Sequence, residues 1–136
     1  MRFDTKIAIV VREDLAAWQK LNVACFLAGG LAGSYPEIVG RPYADGSGQA
    51  YGPLIRQPVL VFAADAAALH RTRRRCAERG IVPVLYTSEL FATGHDEANR
   101  AAVAAVPTEA LDLVGLGLLA PRGAADKVTK GLKLHG

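Results

Sequence analysis

Four short apolar runs divide the chain, and each is followed by a stretch whose hydrophobic positions recur at helical spacing. Thr5–Val11 is β-branched with no polar alternation, which predicts a strand covered on both faces. Asp14 is placed to cap a helix running to about Ala32. From Leu21 to Ala28 that helix is apolar on nearly every side, so a sheet and a second surface are both expected to cover it. Val59–Ala63 reads as the next strand. Asp65 then caps a helix with Leu69, Thr72 and Cys76 inward and Arg71, Arg74 and Arg75 outward, ending at Gly80 as a C′ glycine. Val82–Tyr86 is the third strand. A polar segment, Thr87–Arg100, leads into an alanine-rich helix that stops before Pro107. Asp112–Leu119 is the fourth strand, and Pro121 opens a final helix toward Leu132.

Between the first helix and the second strand the pattern changes. Pro36, Pro42 and Pro53 surround Asp45-Gly46-Ser47-Gly48, a turn signal flanked by Glu37–Tyr43 and Gln49–Ile55 as short strands of a hairpin-like excursion. Strand–helix alternation then predicts an α/β fold: a three-layer α/β/α sandwich around a mixed, mostly parallel sheet of about four strands, with residues 1–136 as a single domain.

Composition narrows the class. Of 136 residues, 51% are hydrophobic and 21% charged, an ordinary globular balance. No apolar run approaches the ~18 residues needed to span a bilayer, and the polar start lacks a leader's apolar centre, so a cytoplasmic protein is expected. Two cysteines, Cys25 and Cys76, sit without Cys-x-x-Cys or Cys/His ligand spacing, which argues against a metal site. No phosphate-binding glycine motif follows a strand, so no cofactor is expected. A net charge of +3 is weak support for a nucleic-acid partner.

Two segments hold chemistry. Gln19, Lys20 and Asn22 fall near a strand's carboxyl end and a helix's amino end, where α/β proteins bind ligands. Lys20 would hold an anion or oxyanion, and the two amides would orient it, unless they merely satisfy nearby backbone. Thr93–Arg100 gathers His95, Asp96, Glu97, Asn99 and Arg100 within a few positions. His95 would act as general base with Glu97 or Asp96 orienting it. The competing reading is a helix start, with Thr93 as cap and the acids complementing the dipole. Both segments are expected to face one cleft, with Arg56, Gln57 and Tyr35, Tyr43 and Tyr51 as walls. The arginines Arg71, Arg73, Arg74, Arg75 and Arg79 would suit RNA phosphates, but no aromatic residues interleave with them, and a solvated helix face is the stronger reading.

Val11-Arg12-Glu13-Asp14-Leu15 followed by Lys20, Gln57-Pro58-Val59-Leu60-Val61, and the closing run Asp126–Leu134 resemble the class II peptidyl-tRNA hydrolases. That resemblance implies the three-layer fold. It does not extend to the chemistry: Trp18-Gln19-Lys20-Leu21 stands where those enzymes carry Gly-Lys-Gly-Lys, Ala28 or Gly29 stands near their histidine, and Tyr86-Thr87-Ser88-Glu89 replaces their Asp-Ala-Gly-x-Thr. Trp18–Asn22, Arg56-Gln57-Pro58 and Thr93–Arg100 resemble, over nearly the whole chain, a bacterial family known as domain of unknown function 2000.

The expected function is binding, with hydrolysis as its extension, of a small anionic or ester ligand, with Lys20, His95 and Glu97 catalytic and Gln19, Asn22, Asp96, Asn99, Arg100 and Arg56 holding the ligand. The alternative is a non-catalytic regulatory or RNA-binding protein on the same scaffold. A homodimer without membrane attachment is expected in either case.

Overall fold

The computed structural model describes residues 2–136. Its elements, in chain order, are β1 (Thr5–Arg12), α1 (Ala17–Ser34), a hairpin of β2 (Tyr43–Ala44) and β3 (Ala50–Tyr51), β4 (Val59–Ala64), α2 (Ala66–Glu78), β5 (Val84–Thr87), α3 (Asp96–Ala104), β6 (Leu113–Pro121), α4 (Arg122–Val128) and β7 (Lys133–Leu134). Short 3-10 turns lie at Pro36–Ile38, Ser88–Ala92 and Thr108–Ala110.

The centre is β1, whose residues Ile7 to Val11 are at most 1% exposed. Its unbroken apolar sequence requires a layer on each side. On one side Ile7, Ile9, Val11 and Val114 lie beneath Val23, Leu27 and Leu31 of α1. On the other, Ala8, Val10, Leu118 and Ala120 meet Leu69 and Cys76 of α2 and Ala125 and Val128 of α4. The helices thus fall on both faces, as the alternation predicts.

The sheet itself corrects the expectation. It has five strands in the order β5-β6-β1-β4-β7. Among the described residues only β1 and β4 pair in parallel. The pairs β1–β6, β4–β7 and β5–β6 are antiparallel. The crossover argument predicts parallel neighbours when successive strands keep one direction; here β6 inserts between β5 and β1 and runs against both. Residues 133–134, two exposed positions too short to show a strand's alternation, add the fifth strand at the β4 edge.

Local signals otherwise act as their chemistry dictates. The Asp65 carboxylate accepts from the Ala68 N–H at 2.8 Å, capping α2. Gly80 has φ +67°, the left-handed conformation that ends a helix. Asp45 organises the hairpin turn by accepting from the Ser47 and Gln49 N–H groups at 2.9 and 3.0 Å and from the Tyr51 hydroxyl at 2.7 Å. Asp14 is not a cap. Its carboxylate is taken by Arg12 at 2.8 Å, and α1 begins only at Ala17. The final helix closes at Val128, short of Leu132.

Candidate functional site

The direction of β7 decides what Lys20 meets. Past Leu134 the chain stays hydrogen-bonded to the sheet, the His135 N–H donating to the Val61 carbonyl at 2.9 Å. This carries the His135 ring back over β4 toward α1. Nε2 of His135 lies 3.2 Å from Nζ of Lys20, while Nδ1 faces the main-chain oxygen of Gly136 at 2.8 Å. Among the described residues no carboxylate pairs with Lys20. Ammonium and imidazole stand at the rim of a cavity of about 500 Å³ lined by Val11, Ala17, Leu21, Ala24 and Val61. Its walls are apolar, and its polar groups are gathered at one place.

The amides beside Lys20 have different fates. The Gln19 Oε1 accepts from the Ala16 N–H at 3.0 Å, closing the first turn of α1. It thereby does the work of the missing Asp14 cap. Asn22 is half-buried on α1 and lies outside the lining of the Lys20 cavity.

His95, Asp96, Glu97, Asn99 and Arg100 come together on the other flank of the same helix. His95 is the N-cap of α3, its Nδ1 accepting from the Ala98 N–H at 3.2 Å. Arg100 binds both Asp96 and Glu97, so neither carboxylate orients the imidazole. Asn99 accepts from the Thr93 hydroxyl. The helix-start reading therefore holds, with His95 in the capping position that Thr93 was expected to take. Asp96, Asn99 and Arg100 edge an apolar groove of about 570 Å³ with Phe26, Val84, Leu90 and Val103.

The single cleft expected from the sequence is not formed. Ala17, Lys20, Leu21 and Ala24 share one stripe of α1, beside β4 and the tail; Phe26 and Gly30 share another, beside β5 and α3. β4 and β5 lie on opposite sides of the central β1–β6 pair. Arg56 is elsewhere again, its Nε donating to the Glu37 carbonyl at 3.0 Å and its guanidinium 5.3 Å from the Phe3 ring centre. Tyr43 and Tyr51 are paired on the exposed hairpin.

At the carboxyl end of β1 a further polar knot forms. Arg12 donates to Asp14 at 2.8 Å and to Asp112 at 2.6 Å. Hydrogen bonding from Ser88, and then the Arg12 guanidinium, hold the Asp112 carboxyl below its ordinary pKa. This knot ties β1 to the start of β6 and leaves no unpaired charge to meet a ligand. Three of the four arginines of α2 are likewise engaged: Arg73 and Arg74 share Glu109 at 2.9 and 2.7 Å, and Arg75 donates to the Lys130 carbonyl at 2.8 Å. Among the described residues no group of three or more His, Cys, Asp or Glu side chains is placed to hold a metal ion. No helix among them is long and apolar enough to cross a membrane.

His135 is the residue that sequence reasoning missed. The signal was faint: a polar–apolar alternation, Lys133-Leu134-His135, after the glycine turn at Gly131, which has φ +90°.

These features define a mixed α/β domain with one cation-and-imidazole rim over an apolar cavity. The chain belongs to the family described as protein of unknown function DUF2000, whose model matches residues 5–136. It is similar to a solved structure, the protein of unknown function Atu0240 from Agrobacterium tumefaciens strain C58, at 49% identity over 99% of this chain and 100% of that one, with a TM-score of 0.96. No curated protein matches the chain.

Proposed function

We propose that the protein binds a small ligand made of an apolar body and one anionic group, the body filling the cavity beside α1 and the anion held by Lys20, whose ammonium His135 positions. The observation that carries this reading is the 3.2 Å approach of Lys20 Nζ to His135 Nε2 at the mouth of a cavity of about 500 Å³. Small-molecule sites have this volume range, with apolar walls and few, convergent polar groups. A carboxylate or phosphate would accept from the Lys20 ammonium, which donates as well to His135 Nε2 and is positioned by it.

Binding without turnover is the form of the reading that the geometry supports. His135 Nε2 already faces an ammonium, and among the described residues no Asp or Glu side chain orients the ring for base catalysis. Of the hydrolase residues the sequence resembles, Lys20 alone stands here, and a cation by itself holds an anion.

Calorimetry and thermal shift with matched aryl and medium-chain carboxylates and their primary amides test this. The carboxylates bind and the amides bind far more weakly. Lys20→Ala loses roughly 10- to 100-fold in affinity, the equivalent of one charge-assisted hydrogen bond, and Lys20→Arg keeps part of it. Equal binding of acids and amides, or an unaffected Lys20→Ala variant, overturns the reading.

A further inference from the structure

The outer face of α1 is not the face of a solvent helix. Trp18, Leu21 and Phe26 are 60%, 69% and 58% exposed, and from Leu21 to Ser34 there is no charged residue. A helix apolar on all sides is ordinarily buried on all sides. The sheet covers one side, and although Trp18 rests edge-on against Phe91 and Phe26 against Tyr86, both residues stay more than half exposed.

The glycines add a separate argument. Gly30 is explained within the chain, since a Cβ there would lie 3.3 Å from Val84. Gly29 and Gly33 are not, because an added Cβ would meet nothing within 4 Å at either. Each glycine weakens the helix relative to alanine, with no close contact inside this chain that requires it. Close approach of another surface would supply one.

We propose that this surface is the α1 helix of a second copy, packed antiparallel about a two-fold axis near Cys25. Bulk and its absence are distributed along the helix in the way such a pairing needs. Trp18 stands at the start of the helix and Phe26 at its middle, with Gly29 and Gly33 in the last half. Reversing one helix upon the other lays Trp18 over the Gly33 region and Phe26 beside Cys25 of the opposite copy. The contact is isologous, each patch meeting itself.

Charge and area agree. An uncharged face pairs with an uncharged partner, and a copy of itself is one. A fully exposed aromatic side chain presents about 150–250 Å², so Trp18, Leu21 and Phe26 together offer roughly 400 Å², half of the ~800 Å² a standard partner buries. The helix surface from Cys25 to Gly33 and the adjoining apolar groove beside Phe26 extend the patch toward that figure. Leu21 also borders the ligand cavity, but Trp18, Phe26, Gly29 and Gly33 do not, so the pairing does not rest on that reading.

Sedimentation equilibrium of the intact chain over a concentration series, with far-UV circular dichroism as the control, tests it. The protein sediments as a dimer at micromolar concentration, and a short-spacer bismaleimide joins two chains through Cys25. Phe26→Glu weakens the dimer at least tenfold. Gly29→Leu does the same while keeping or raising helix content, because the added side chain is free in the monomer and blocked in the pair. A protein monomeric at all concentrations overturns the proposal, including one that instead binds peptides or lipid vesicles through this face. So does a dimer indifferent to Gly29→Leu and Phe26→Glu, which would use another surface.

Discussion

Gly115 of β6 lies against Val23 of α1 so closely that a methyl group on the glycine would overlap the valine side chain. Gly117, two residues along the same face, would bring its Cβ to 2.9 Å from Val84 and 3.3 Å from Leu31. This Gly-x-Gly pair lets α1 settle onto the sheet, and the position of α1 in turn sets where Lys20 stands. Gly115→Ala is therefore expected to destabilise the fold by about 1–3 kcal/mol through overpacking, lowering the melting temperature by several degrees. Gly123→Ala, where an added Cβ meets nothing within 4 Å, is the control and is expected to be neutral or mildly stabilising. Equal melting temperatures for the two variants would refute the close-packing account.

The Arg12–Asp112 link predicts an acid-sensitive part of the stability. Asp112 titrates below its ordinary value in the folded protein because Ser88 and Arg12 favour the carboxylate. A depressed folded pKa contributes stability that is fully present above the unfolded value of about 3.9 and is lost as pH falls through the folded one. Asp112→Asn should therefore unfold at lower denaturant concentration than the unsubstituted protein from pH 7 down to about 5. The gap should close below about pH 4. A gap that persists or widens in acid would show that the carboxylate's charge is not what matters. Asp112 is 48% exposed, so solvent screening keeps the effect modest.

Much of the fold was legible because each element advertises itself over several residues. β1 and β4 are apolar runs, Asp65 and Gly80 bracket α2, and Asp45–Gly48 shapes the hairpin turn. Strand direction is not a local property. Nothing within Leu113–Pro121 says that it lies antiparallel between β1 and β5, and that one insertion turns a mostly parallel sheet into a mixed one. The site was half legible for the same reason. Lys20 was found from its position after a buried strand, but its imidazole neighbour is 115 positions away and arrives through a two-residue edge strand. The dense polar run at Thr93–Arg100 drew attention through composition, and its groups mostly satisfy one another.

Thiol chemistry separates the two cysteines. Cys76 is fully buried under α4 and the sheet, and burial pushes its thiol up to about 11, the nearby Arg79 and Arg73 only partly opposing this. Cys25 lies on the exposed face of α1. In a Cys25→Ser variant, a chromogenic disulfide reagent at pH 8 should find no reactive thiol in the native protein and one after unfolding. Rapid labelling of Cys76 under native conditions would mean that α2 opens locally on the timescale of the reaction.

The two imidazoles make opposite predictions, and together they decide which belongs to the ligand site. His95 caps α3, and an N-cap's removal costs about 0.5–2 kcal/mol, whereas Asn or Asp caps at least as well. His95→Ala should therefore lower stability, His95→Asn should restore it, and neither should alter carboxylate binding. His135 sits on an exposed edge, anchored by its backbone N–H, so His135→Ala should leave stability nearly unchanged. It should weaken carboxylate binding, because Lys20 loses the acceptor that fixes its ammonium beside the cavity. Denaturant curves and calorimetry on the same preparations read both quantities. Binding that depends on His95 and ignores His135 would return the site to the α3 flank of the helix and remove the Lys20 cavity from the account.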